Sequence, residues 1–163
     1  MKRFRNSVVA SVVLLAGLVM ALSSARVLAQ AGSEVGTWKL NPGKSKYSPG
    51  APPKNQTIII TVAGNGIKVN SRGTDAANNP IAADYTVSYD GKDMPVKGSP
   101  SYDMTSAKRV DANTTELTRK KAGKVVQTSR RVISADGKTM TITTTGTNEQ
   151  NDKINNVGVF EKQ

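Results

Sequence analysis

Apolar and polar residues alternate through most of the chain beyond residue 32, the two-residue period of a strand with one buried face. Ile58, Ile60 and Val62 share a face, as do Ile67 and Val69, then Tyr85, Val87 and Tyr89. Tyr102 with Met104, and Met140 with Ile142, repeat the pattern. Threonine fills many intervening positions, among them Thr139, Thr141, Thr143 and Thr145, and a β-branched hydroxyl residue suits the solvated face of a pleated sheet. No window of helical length in this region carries apolar residues at three- and four-residue spacing. The alternation predicts strands over 34–40, 55–63, 66–73, 82–89, 92–97, 102–110, 114–121, 124–133, 138–146 and 155–162.

Turn chemistry separates these runs. Asn65-Gly66, Asp90-Gly91 and Asp136-Gly137 each stand between two alternating segments, and such pairs favour the tight turns whose twist matches the flanking strands. Ala122-Gly123 and Ala112-Asn113 are weaker candidates. Tight connections throughout predict an all-β fold, an antiparallel up-and-down meander of about ten strands. Closing such a meander into a barrel removes exposed sheet edges. Residues 41–54 carry Pro42, Pro49, Pro52 and Pro53, which forbids a regular strand or helix there. An irregular connection across one end of the barrel is expected.

The N-terminus follows a different rule. Lys2, Arg3 and Arg5 precede an apolar stretch from Val8 to Leu22, followed by Val27-Leu28-Ala29 and Ala29-Gln30-Ala31. A basic start, a short apolar run and small residues at a cleavage site make a secretory signal peptide. The apolar run is shorter than the roughly 20 residues of a spanning helix. Residues 1–31 are therefore expected to be removed after Ala29 or Ala31, leaving 32–163 as one β-barrel domain in the periplasm or outside the cell. No cysteine is present for lipid attachment or disulfides, so the fold must hold without cross-links.

The chain carries 23 basic residues against 12 acidic ones. Removing the signal, with its four basic residues, leaves 19 against 12, a net charge of +7. Histidine is absent, and with it the commonest general base and neutral metal ligand. There is no nucleophile elbow, phosphate-binding glycine loop or calcium loop. Ser106 and Lys108 share a strand face, a spacing too common to indicate a catalytic pair. Scattered acids such as Asp75, Asp90 and Asp136 fall in turns, which they help to form. The expectation is a protein that is not an enzyme and has no cofactor and no metal.

Two short segments carry a resemblance. Gly36-Thr37-Trp38-Lys39-Leu40 opens the domain and Val159-Phe160-Glu161-Lys162 closes it. This resembles the calycins, the lipocalins and fatty-acid-binding proteins, whose barrels begin with a Gly-x-Trp strand. It is also similar in style to small exported bacterial proteins described as lipocalin-like, through Asp90-Gly91-Lys92-Asp93-Met94-Pro95-Val96 and Gly98-Ser99-Pro100. The resemblance implies a barrel of this length holding a small ligand. Fatty-acid-binding chains hold the ligand carboxylate with an inward Arg and Tyr on the last strand, and those positions here are Gly158 and Phe160. Another inward Arg of that family corresponds to Arg130 or Arg131, the register between them being open. The family's helical lid has no counterpart.

Candidate ligand contacts are Trp38, Tyr85, Tyr89, Met104, Met140, Ile142 and Phe160, with Arg130 or Arg131 as an anion contact. Each aromatic has an alternative role: Trp38 as packing on the barrel floor, and Tyr85 and Tyr89 as ordinary core. The basic cluster Arg119, Lys120, Lys121, Lys124, Arg130 and Arg131 reads either as a solvated strand face or as a surface for anions. Two functions follow. The first is an exported, monomeric binding protein for a small apolar or amphipathic ligand. The second is a basic surface module for an anionic envelope polymer or lipid headgroup. Nucleic acid is not expected as a partner, because the cluster lacks stacking aromatics, and no membrane span remains after cleavage.

Overall fold

Ten strands form where the alternation places them: β1 (Gly36–Leu40), β2 (Asn55–Ala63), β3 (Gly66–Thr74), β4 (Pro80–Ser88), β5 (Met94–Pro95), β6 (Met104–Arg109), β7 (Thr114–Lys121), β8 (Lys124–Ile133), β9 (Thr139–Thr147) and β10 (Lys153–Lys162). The computed structural model describes residues 32–163; the predicted signal peptide lies outside the described residues. The strands make one antiparallel sheet in the order β4-β3-β2-β1-β10-β9-β8-β7-β6-β5. First and last strands are neighbours, Trp38 opposite Lys162 and Leu40 opposite Phe160. The sheet curls until β4 meets the segment after β5 at one antiparallel bridge. There Asp84 and Lys97 exchange two backbone hydrogen bonds of 2.9 Å. The result is a nearly closed meander barrel.

That seam is narrow for a sequence reason. The predicted strand 92–97 shrinks to Met94–Pro95, because Pro95 has no amide hydrogen to donate to a ladder. The expected hairpin at Asp90-Gly91 does not join β4 to β5. Gly91 adopts φ +78° and donates to Ala107 O, while Asp90 bridges to Lys108. The chain has turned onto β6.

Another turn is shifted. The β2–β3 loop is Gly64-Asn65, one residue before the predicted Asn65-Gly66, with Ala63 opposite Gly66. Gly64 takes the positive φ, +56°. Gly66 instead lies in β3, where an added Cβ would sit 1.9 Å from Val87 O. Glycine is needed there for the close approach of β4.

The Pro-rich connection departs from irregularity in one place, a single 3-10 turn at Pro42–Lys44. Either side of it the chain keeps pairing with β10. Asn41 N donates to Val159 O, Lys46 and Val157 exchange hydrogen bonds, and Asn155 N donates to Ser48 O. The segment thus climbs the wall of the barrel before Tyr47 and Pro53 reach over its interior.

Side chains alternate in and out along every long strand. Trp38, Ile60, Ile67, Val69, Val87, Leu117, Met140 and Phe160 are buried inside. Burial of this apolar set, at roughly 1.5–3 kcal/mol per large side chain, is the main force holding the strands together.

Candidate ligand-binding cavity

The interior divides into a packed end and a hollow end. At the packed end, Glu34 precedes β1 in a turn and is buried. The predicted first strand began at this residue, so its turn conformation is a correction. Trp38, two residues into β1, donates its indole Nε1–H to Glu34 O at 2.8 Å. That bond fixes the turn and aims the carboxylate inward. Glu34 Oε2 accepts from Arg131 Nη1 at 2.7 Å. Its Oε1 accepts from the Tyr89 hydroxyl at 2.5 Å and Arg109 Nη2 at 3.0 Å, with Thr115 Oγ1 at 3.4 Å. The Arg109 guanidinium also lies 3.9 Å above the Tyr89 ring.

Charge decides how this network behaves. Burial pushes the Glu34 carboxyl up, yet Arg131, Tyr89 and Arg109 together hold it below its ordinary value. Burial works against the Arg131 charge, and Tyr85 and Glu34 more than restore it. Burial and the accepting Glu34 carboxylate raise the Tyr89 phenol, so it stays a hydrogen-bond donor. The packed end therefore holds one carboxylate saturated by two guanidiniums and two hydroxyls.

The hollow end is a cavity of about 270 Å³. Apolar walls come from Ile58, Val69, Ile142 and Phe160, and polar groups from Tyr85, Tyr102, Arg119, Gln127 and Arg131. Tyr85 is the join, its hydroxyl accepting from Arg131 Nη2 at 3.3 Å. Of the residues expected to contact ligand, the structure brings Tyr85, Arg131, Ile142 and Phe160 to the cavity. Trp38, Tyr89 and Met140 belong to the packed end. Met104 pairs beside Thr105, which faces Arg119; it therefore shares the outer face of β6 with Ser106 and Lys108. Tyr102 reaches the cavity because the chain before β6 is not regular strand, which breaks the expected Tyr102–Met104 alternation.

The open register also resolves. Arg131 faces in and Arg130 faces out, where it pairs with Glu116 at 2.9 Å. Arg130 is thereby removed from the set of ligand contacts. The basic cluster does not form one outward patch: Arg119 and Arg131 are inside, Lys120 pairs with Asp93, and Lys121 donates to Pro100 O. Sequence reasoning missed Glu34, Tyr47, Arg109 and the inward direction of Arg119. An inward arginine calls for a countercharge, and Glu34 is the acid nearest the Gly-x-Trp segment. That was the available signal.

No family model matches the sequence, and no curated protein matches it. Among solved structures, the zebrafish ileal bile acid-binding protein complexed with cholic acid superposes with a TM-score of 0.50. The match has 15% identity and covers 81% of this chain and 100% of that one. The barrel is of the lipocalin and fatty-acid-binding type. At that identity the likeness speaks to the fold alone. The last strand carries Gly158 and Phe160 where a carboxylate clamp of Arg and Tyr was the point of comparison, and the structure shows what occupies that place. A Cβ on Gly158 would lie 3.1 Å from Tyr47 Oη and 3.0 Å from Phe160 Cε2. The glycine leaves room for Tyr47 to swing in from the Pro-rich connection.

Proposed function

We propose that this chain is an exported, non-catalytic binding protein that holds one small apolar or amphipathic molecule inside its barrel. The observation that carries the reading is the 270 Å³ cavity, lined by apolar side chains with a few polar groups among them. That is the usual composition of a small-molecule site, and its volume lies just below the roughly 300–1,000 Å³ range of drug-sized pockets, which suits a small ligand. The one carboxylate of the interior network, Glu34, is fully engaged by its partners, which supports binding rather than acid–base chemistry. The dispersal of the basic cluster argues against the surface-module alternative.

Export rests on the N-terminal pattern of residues 1–31. Cleavage after Ala29 or Ala31 keeps Glu34, the countercharge of Arg131, in the mature protein. N-terminal sequencing of the exported protein should begin at Gln30 or Gly32; a membrane-retained chain beginning at Met1 would overturn this part. Native mass spectrometry of the same material tests the binding function. A stoichiometric small-molecule adduct is expected. A clean apo mass that persists after incubation with a mixed lipid extract would sink the carrier reading.

A further inference from the structure

Beyond residue 31 the chain has three methionines, Met94, Met104 and Met140, and the barrel treats each differently. Met140 is enclosed, with 0% exposure. Met104 is half-buried on the outer face of β6, opposite Pro95 and Lys120. Met94 is half-buried on β5 and packs against the interior cluster. It also lines a groove along the seam between β4 and β5. Outward Lys68, Asn70 and Thr86 border that groove together with Tyr85, which belongs to the interior. The thin seam thus opens a path from the outer surface to the Met94 side chain.

Opposite Met94 on the neighbouring strand stands Thr105. Its side chain is fully enclosed, and its Oγ1 has no hydrogen-bond partner among the described residues. A buried hydroxyl in that condition is unfavourable, and it holds an unused O–H donor. Residues directly opposite on one face of an antiparallel pair have Cβ atoms about 4.5–5.5 Å apart. Methionine has three rotatable bonds, so its sulfur reaches across that spacing. The thioether is only a weak acceptor. Its sulfoxide is polar, and the oxygen it gains is the acceptor that the Thr105 hydroxyl lacks.

We propose that Met94 is an oxidation site of the barrel, converted to the sulfoxide by peroxide, and that the Thr105 hydroxyl receives the new oxygen. In this step a sulfur lone pair attacks one oxygen of hydrogen peroxide. The O–O bond breaks, an S–O bond forms and water leaves; sulfur is oxidised by two electrons and the peroxide is reduced by two. A sulfoxide in a packed interior ordinarily disrupts it. Here the waiting donor holds the new polar group in place, close to the Asp84–Lys97 bridge that closes the barrel.

The test treats the processed protein with dilute hydrogen peroxide under native conditions. In protein labelled with ¹³C-methyl methionine, the Met94 methyl resonance should move to its sulfoxide position at least about tenfold faster than that of Met140, because exposure governs this oxidation. Once Met94 is converted, the thermal unfolding midpoint should fall by about 2–8 °C more in Thr105→Val than in the unmodified protein, the size expected for one hydrogen bond in a domain of this length. Thr105→Val keeps the side-chain shape and removes only the unpartnered hydroxyl, so its reduced form should unfold no lower than the unmodified protein. Met94→Leu should keep its midpoint within about 2 °C on treatment, since Met104, the other accessible methionine, lies on the outer face. Conversion of Met140 as fast as Met94 overturns the site. An equal fall in Thr105→Val and the unmodified protein overturns the part given to Thr105. Both outcomes leave the carrier reading standing.

Discussion

Glu34 illustrates how one side chain can fix the chemistry of an interior. Its carboxylate turns Arg131 from a free cation into half of a buried ion pair. Such pairs contribute little net stability against apolar replacements, but removing one partner strands the other charge at a cost of about 3–5 kcal/mol. Glu34→Gln should therefore lower the unfolding free energy by that order, measured by urea denaturation. A pH dependence follows. The Glu34 carboxyl is held below its ordinary value of 4.5 in the fold, so the unfolded chain takes up the proton first as pH falls. The stabilisation is present above about pH 4.5 and is lost as pH drops through the lower folded value. The midpoint of thermal unfolding should fall below that pH in the native protein and fall less steeply in Glu34→Gln. Gly66 offers a second test at this scale. A Cβ there meets Val87 O at 1.9 Å, so Gly66→Ala should destabilise by ~1–3 kcal/mol or more.

At the level of elements, the hairpins differ in how well their residues fit. The β7–β8 turn is Ala122-Gly123, with φ values of +48° and +78°, the double positive-φ geometry of a tight hairpin. Glycine accepts it freely and alanine does not, since its Cβ crowds the neighbouring carbonyl. Ala122→Gly keeps the Ala122 amide bond to Asp103 Oδ2 and should stabilise by up to about 1 kcal/mol, seen as a rise of a few degrees in the unfolding midpoint. The opposite situation holds at β5, where Pro95 and two short ladder pairs leave the seam with β4 to one bridge, Asp84 with Lys97. Few backbone hydrogen bonds cross it, so amide hydrogen exchange should be faster at Lys97 and Asp84 than at the centre of β9, which is paired on both sides.

For the whole molecule, the decisive fact is the division of the barrel interior. Trp38, Tyr89 and Met140 fill one end with the Glu34 network. The other end carries smaller and polar inward residues such as Ser71, Ala83 and Thr144, which leave space. Ligand association driven by that cavity should be only weakly salt-dependent for uncharged molecules, because enclosed apolar contacts are not screened. Titration of an alcohol probe from low to high salt checks this, and a steep loss of affinity would point to the outer surface instead.

The alternation and the turn residues by themselves determined the number of strands, most of their boundaries and the antiparallel meander, because these depend on neighbours close in sequence. The outer ends of Gly-x-Trp and Phe-Glu-Lys likewise indicated the barrel type. What local pattern does not carry is register and long-range partnership. Whether Arg130 or Arg131 points inward depends on a one-residue slip that reverses every side chain on β8, and only the pairing of Arg131 with Ile142 across to β9 decided it. Arg119 read as part of a basic strand face until the closed barrel placed it against Tyr102 and Gln127. Glu34 meets Arg131 across 97 positions of sequence. A countercharge at that distance is chosen by three-dimensional closure, since only there do two buried charges share one low-dielectric interior.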